Sequence, residues 1–388
     1  MSTVIILRDG MPPDQFAAAV LSGEDTEDTV ILPLPPSLDE AQAKALVKML
    51  SLYAGEPGVA FVTSGTVGTS KVVVRPYAGI KAEAIHVAFA TRMSVNSKVL
   101  ITTPITHSYG FGIVMAAMYR GASVDVAYSP YVHERASLAR LYLNNNDYDI
   151  MTGVPFMFNM LLRQPAYHAA ERNYAGGEVV YPELQKSWMD EYKVPLLQEY
   201  GLSEVGIVSF SAPQDPLSSI GFPIPETKVS FDGDELVLDR PGRPISYLSE
   251  NGQFRNQDIW TPNGVRTGDL GYESGGLLYL SGRAKNILKV AGKAVACEEI
   301  EKAILSFPGM SKMDVVVIGQ PHPVRGEVPV AYIAPHMYDD DKSALYHYLS
   351  GILPKYKMPW VIRTMEELPR SASSGKVERR FPHDAVPI

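Results

Sequence analysis

The sequence predicts an α/β fold: a large N-terminal domain of mostly parallel sheet with flanking helices and a small β-rich lobe, followed by a small α+β C-terminal domain. Three observations carry that expectation. Between residues 58 and 200, short β-branched runs alternate with helical patterns, as in a parallel sheet covered by helices. Between 218 and 281 the texture shifts to closely spaced strands and turns. After Gly282 a compact stretch of about 100 residues mixes helices and strands again.

The elements follow in order. Residues 37–55 read as a helix, with Ser37 and Glu40 as a capping box and Ala43, Leu46, Val47 and Leu50 along one face. Strands are expected at 58–62, 98–103, 122–128, 149–153 and 194–199, with helices at 77–91, 112–119 and 136–144 between them. Strands at 228–231 and 235–238 flank the turn Asp232-Gly233-Asp234, and 276–280 is a further short strand. The last unit has helices at 298–306 and 342–353 and strands at 314–318 and 330–333. The domains therefore divide as 1–284 and 285–388.

Composition narrows the function. The formal charge of −8, from 35 basic and 43 acidic residues, argues against a broad nucleic-acid surface. No apolar run approaches the ~18 residues needed to span a bilayer. The N-terminus lacks a signal-peptide pattern, and the single cysteine, Cys297, rules out an internal disulfide framework, so a cytoplasmic location is expected. Cys297 reads as structural, because no basic group stands near it in sequence to activate the thiol.

The chemistry is concentrated in loops. Residues 63–71, TSGTVGTSK, follow the apolar run 59–62, and a buried strand entering such a loop is suited to phosphate. Gly65 and Gly68 allow close backbone approach, Ser64, Thr66, Thr69 and Ser70 offer hydroxyls, and Lys71 adds a positive charge. The spacing is not that of a Walker loop. Residues 201–206 miss the GxSxG spacing of a serine hydrolase by one position, and the eight histidines show no HExxH. Gly110 and Gly112 lack the third glycine of a dinucleotide fingerprint.

Five further segments accompany this loop: ITHSYGFG at 105–112, YAGGE at 174–178, QEYGLSE at 198–204, RTGDLGY through EEIE at 266–301, and LPRSASSGKVERR at 368–380. In that order the six motifs resemble the adenylate-forming superfamily of acyl- and aryl-CoA synthetases, free-standing adenylation enzymes and luciferases, over residues 58–380. The resemblance implies two half-reactions. A carboxylate attacks the α-phosphate of ATP to give an acyl-adenylate and pyrophosphate, and a thiol then displaces AMP. The thiol is that of CoA or of a carrier-protein phosphopantetheine. The partners implied are a small carboxylic acid and that acceptor.

The resemblance also assigns roles. The loop from Ser64 to Lys71 would wrap the β- and γ-phosphates. Glu204 would hold Mg²⁺, Ser203 would donate to the α-phosphate, and Tyr200 with Gly201 would lie against the adenine. Gly176, Gly177 and Glu178 would face the adenine edge. Asp269 would accept from the ribose hydroxyls, beside Arg283. Lys376 would bridge the α-phosphate and the substrate carboxylate during adenylation. Lys285 falls at the expected hinge, about which a mobile C-terminal domain would bring Gly292 towards the thiol channel. His107, Tyr109, Phe111, Pro155, Phe156 and Glu199 would line the acid pocket. Residues 105–112 contain no acidic residue, which argues for an aryl or short-to-medium acyl acid and against an amino acid.

The sequence departs from the family at several points. Val67 and Ser70 replace the usual residues of TSGTTGxPK, one residue is inserted before Lys376, and Glu199 stands where a small residue is common. The phosphate loop also lies much nearer the N-terminus than in the family, so a shortened first lobe is expected.

Overall fold

The structure is a computed structural model that describes every residue except 1, 27, 36–37, 64–70, 243–246, 249–253, 256–258, 311–312, 335–338, 371–376, 380 and 382–388. Its helices are α1 (Pro13–Glu24), α2 (Glu40–Ser51), α3 (Tyr77–Ala90), α4 (Ser108–Arg120), α5 (Val132–Asn145), α6 (Pro155–Arg163), α7 (Pro182–Tyr192), α8 (Cys297–Leu305) and α9 (Asp339–Ile352). Among the described residues the strands form three sheets.

The first sheet runs Thr3–Arg8, Thr29–Leu34, Gly58–Thr63, Lys71–Pro76, Tyr247–Leu248, Phe254–Arg255. Its first three strands are parallel, and the fourth pairs with the third antiparallel, Thr63 opposite Lys71. The second sheet holds twelve described strands. From Ser123–Val126 through Lys98–Ile101, Ile150–Gly153 and Arg172–Ala175 to Leu196–Leu202 it is parallel. From there Gly206–Phe210, Ser219–Pro223, Leu277–Arg283, Gly264–Ser274, Glu235–Asp239 and Lys228–Asp232 continue it antiparallel. The β-rich stretch read from the sequence is therefore the antiparallel half of this sheet. The third sheet begins at Ile287–Val290 and is completed by Lys293–Ala296, Gly326–Ala334, Asp314–His322 and Val361–Thr364.

Helices α1, α3 and α4 lie between the first two sheets. One core joins Leu7, Ile31 and Phe61 of the first sheet to Phe16, Ile80 and Phe111 of the helices, and to Ile101 and Leu197 of the second. A helix with apolar residues on all sides belongs between two such layers. Accordingly ten consecutive residues of α4, from Ser108 to Ala117, are buried. Each fully buried large apolar side chain here contributes roughly 1.5–3 kcal/mol. Helix α2 covers the outer face of the first sheet, and α5, α6 and α7 the outer face of the second.

Local chemistry sets the boundaries. Asp39, not Ser37, caps α2: its side chain accepts from the Gln42 N–H at 2.8 Å while Gln42 reaches back to the Asp39 N–H, so the capping box is shifted by two residues. Ser37 lies outside the described residues. Pro155 and Pro182 open α6 and α7, where a missing N–H costs nothing. Helix α4 begins at Ser108, four residues before its predicted start, because Ser108, Tyr109 and Gly110 are buried with it. No described helix is long and apolar enough to cross a membrane.

Candidate active site

Two of the expected groups meet at the crossing of the first and second sheets. Lys71 starts the strand that follows the phosphate loop, and its Nζ lies 4.8 Å from the Tyr247 ring centroid. The Tyr247 hydroxyl donates to Glu204, and burial, then that carboxylate, push its pKa upward. Glu204 and Ser203 occupy the turn between the strands Leu196–Leu202 and Gly206–Phe210, where Val205 N–H donates to Leu202 at 3.2 Å.

Beside this turn, Asp269 and Arg283 face each other across an antiparallel register pair. Nε and Nη2, one edge of the Arg283 guanidinium, donate to the two oxygens of the Asp269 carboxylate, and the Tyr200 hydroxyl donates to its Oδ2 at 2.7 Å. Burial works against the Arg283 charge, but Asp269, Tyr200 and Glu204 outweigh it and leave its pKa above the ordinary value. Lys71, Glu204 and Asp269 thus share one locality, with Tyr247, Arg283 and Tyr200 between them. Tyr200 is only 7% exposed and belongs to a core with Val208, Ile220 and Leu236. Its ring offers the adenine little open face, and what it visibly does is orient Asp269.

The glycine loop lies at the end of the strand Arg172–Ala175. Gly176 N–H donates to Gly153 O at 3.0 Å, and Gly177 adopts φ +81°, the left-handed region that favours glycine. Glu199 is 5% exposed and faces this loop from the neighbouring strand. A Cβ placed on Gly176 would stand 1.8 Å from Glu199 Oε2, and one on Gly201 would stand 2.9 Å from Oε1. Tyr109 adjoins the same carboxylate and donates to Tyr174 O at 3.1 Å, while burial and then Glu199 raise its pKa well above the ordinary value. Gly176→Ala is therefore expected to lower stability by about 1–3 kcal/mol through overpacking, and a Glu199→Ala background should reduce that penalty, leaving only the Glu199 Cβ at 3.0 Å. Thermal denaturation of the two single variants and the double variant checks this; equal penalties in both backgrounds would show that the contact is not limiting.

His107 is the N-cap of α4, its N–H bonded to Pro104 O at 3.1 Å. The loop before it is anchored by Asp9, which accepts from both Thr106 N–H (3.1 Å) and Thr106 Oγ1–H (2.8 Å). Burial raises the Asp9 pKa, with the Thr106 bonds and Arg135 opposing.

Three of the expected pocket residues stand as follows. Phe111 is wholly buried, with its ring edge-on to Phe16 and Phe61, because its position on α4 faces α1 and the first sheet. Pro155 and Phe156 line a cleft between the α6–α7 face and the third sheet. There the Arg370 guanidinium lies 3.9 Å from the Phe156 ring centroid. Glu178 borders the same cleft, and its Oε1 accepts the Val377 N–H at 3.1 Å.

Other contacts cross this cleft. Tyr181, before α7, donates to Glu301 of α8, and Arg163 approaches Asp314 at 3.4 Å. On the third-sheet side alone, Arg379 is held by Glu301 and Val317 O at 2.6 and 2.7 Å. Lys285 sits in a single 3-10 turn, Ala284–Asn286, between the second and third sheets. Gly292, with φ +80°, is in the turn between Ile287–Val290 and Lys293–Ala296, and joins none of the contacts around Asp269 and Glu204. Ser64, Gly65, Thr66, Gly68, Thr69 and Lys376 lie outside the described residues.

Tyr247, Asp9 and Tyr181 were missed by motif reading. None belongs to a spaced pattern, and each acquires its place only through tertiary contact. Among the described residues no group of three or more His, Cys, Asp or Glu could cage a metal. A lone carboxylate such as Glu204 fits Mg²⁺, which commonly takes one or two carboxylates plus substrate phosphate oxygens.

Residues 12–244 match the family described as AMP-binding enzyme, and residues 299–376 match the AMP-binding enzyme C-terminal domain. A 3,4-dihydroxybenzoate–[aryl-carrier protein] ligase of Bacillus anthracis is 24% identical over 86% of this chain and 76% of its own length. A sulfoacetate–CoA ligase of Cupriavidus necator is 29% identical over 83% of this chain and 66% of its own length. An o-succinylbenzoate CoA synthetase of Bacillus subtilis, solved with its acyl-adenylate intermediate, superposes with a TM-score of 0.73 at 20% identity, over 97% of this chain and 87% of that one.

Proposed function

Since the chain belongs to the AMP-binding enzyme family, we propose that it is an ATP- and Mg²⁺-dependent acid–thiol ligase that activates a carboxylic acid as acyl-AMP and passes it to the thiol of CoA. The observation that carries this reading is the joint hold of Tyr200 and Arg283 on Asp269 beside the Lys71–Tyr247–Glu204 group. One buried carboxylate is held there, its orientation fixed from two sides, next to a cation and a second carboxylate.

In the first half-reaction an oxygen of the acid forms a bond to the α-phosphorus of ATP, and the bond to pyrophosphate breaks. Lys71 and the phosphate loop would neutralise charge moving onto the pyrophosphate, where preorganised donors are most effective. Glu204 would hold Mg²⁺, which supplies Lewis-acid neutralisation of phosphate oxygens. Asp269 would accept from the ribose hydroxyls and keep the α-phosphate in line. In the second half-reaction the thiol sulfur attacks the acyl carbon and AMP leaves.

His107, Tyr109, Glu199 and Gly177 would line the acid position, and the flat Tyr109 ring would suit an aryl or short-to-medium acyl chain. Acid-dependent exchange of pyrophosphate into ATP, run over a panel of carboxylic acids, tests the proposal; no exchange with any acid would overturn it. The likeness to an aryl-carrier-protein ligase supports a second acceptor, a carrier-protein phosphopantetheine. Parallel thioester assays with CoA and with holo-carrier proteins separate the two.

Lys285 is proposed as the hinge of the C-terminal unit, since it lies in the short turn joining the second and third sheets. Lys285→Pro is expected to leave pyrophosphate exchange within about twofold and to slow thioester formation about tenfold. Equal losses in both assays would remove the hinge role.

A further inference from the structure

Three buried charges lie under the turn that carries Glu204, and the proposed chemistry does not use them. Arg75 and Glu83 form an ion pair with side chains 2% exposed, and Arg240 is 5% exposed. Charges are costly to bury, and an isolated pair adds little net stability. Their geometry shows what they hold.

Glu83 Oε1 accepts the Ile207 N–H at 2.7 Å. Arg240 Nη1 donates to Ile207 O at 2.9 Å and to Val205 O at 3.1 Å. The strand register shifts between Ile207 and Ser209, so these side chains serve main-chain groups where the ladder is irregular. Gly206 completes the fit with φ +82°: a Cβ there would lie 2.5 Å from Arg75 Nη2 and from both Glu83 carboxylate oxygens. The cluster is thus pressed directly against the backbone that follows Glu204.

Its other end reaches the phosphate side. Arg75 is four residues beyond Lys71 on the same strand, and side chains two apart share a face. Lys71, Val73 and Arg75 therefore share the face on which Val73 enters the core with Ile80 and Ile207. Arg75 Nη1 is buried with no partner among the described residues, so ion-pair strength alone does not account for this arginine.

We propose that Glu83, held between Arg75 and Arg240, is a positioning residue that fixes the turn bearing Glu204 relative to the strand bearing Lys71, and so sets how Mg²⁺-bound ATP is gripped. This rests on the acid–thiol ligase reading. Glu83 touches no substrate; it acts through the Ile207 amide and the Arg75 side chain. Groups that orient a metal ligand typically change metal affinity by about 10–100-fold when altered.

Calorimetric titration of the full chain with ATP, with and without Mg²⁺, and with AMP tests this. In Glu83→Gln, which keeps an acceptor for Ile207 but loses the charge, the Mg²⁺-dependent gain in ATP affinity should fall about tenfold. AMP affinity should stay within about twofold, because AMP carries neither the β- nor the γ-phosphate. Should that variant not fold, Arg75→Met/Glu83→Gln removes both charges of the pair together and should show the same selective loss. An unchanged Mg²⁺ gain in a folded variant would overturn the proposal. So would equal weakening of AMP and ATP binding in both variants, which would mean a general structural role. Absence of Mg²⁺-dependent ATP binding in the unaltered chain would overturn the ligase reading and this inference together.

Discussion

Asp269→Asn is expected to lower kcat/KM for ATP in pyrophosphate exchange by about a hundredfold, close to 3 kcal/mol of transition-state stabilisation. The native carboxylate is 3% exposed and accepts from Tyr200 and from two nitrogens of Arg283. An amide has one acceptor oxygen, so in either orientation its NH₂ group must face Nε or Nη2 of Arg283, donor against donor. The Arg283 charge also loses its counter-ion. Because the Arg283 side chain is 42% exposed, water recovers part of that charge and the fold should survive. The variant should therefore bind AMP weakly while unfolding near the native temperature. Native exchange kinetics in a folded Asp269→Asn chain would remove Asp269 from the nucleotide site.

Lys376→Ala should be more selective and at least as large, with acid-dependent exchange falling about 10²–10³-fold. Lys376 itself lies outside the described residues, but both flanks of its loop are tied down. Arg370 and Val377 form an antiparallel bridge, Val377 donates to Glu178, and Arg379 is fixed on Glu301. The Val377–Glu178 bond brings the C-terminal segment to the glycine loop of the second sheet, as an adenylation role for Lys376 requires. Thioester formation from acyl-adenylate supplied ready-made should remain within a few-fold of native. Parallel loss of both half-reactions would argue against that role.

The alternation of apolar runs and helical patterns made most of residues 58–200 legible, because most strands there are buried on both faces and each helix is long enough to show its period. The glycine- and hydroxyl-rich segments marked the site for a related reason: tight turns and close backbone approach restrict which residue types can serve. Other features were hidden in the sequence. The first 36 residues build two strands and a helix that no motif announced. Tyr247 looks ordinary, and becomes part of the site only when a two-residue strand pairs Leu248 with Val72. Phe111 was misplaced because an aromatic inside a site motif reads alike whether it faces substrate or core; only the packing of α1 against α4 settles its direction. Arg75, Glu83 and Arg240 are 165 residues apart at their extremes (240 minus 75), and a buried charge cluster leaves no local signature.

The continuous strand order of the second sheet, kept across its local register shifts, has a consequence for how such a chain can change over generations. Ala175, leading into Gly176, and then Glu199, Tyr200, Asp269 and Arg283 all sit on its strands, and their mutual spacing is written in main-chain bonds that no side-chain replacement alters. Helices on either face can be repacked by many small exchanges while that spacing persists. A single residue gained or lost inside one of these strands would turn every later side chain to the opposite face and undo the centre in one step. Lineages built on this plan are free to vary in composition and at loop lengths, and are held to strict count along the strands.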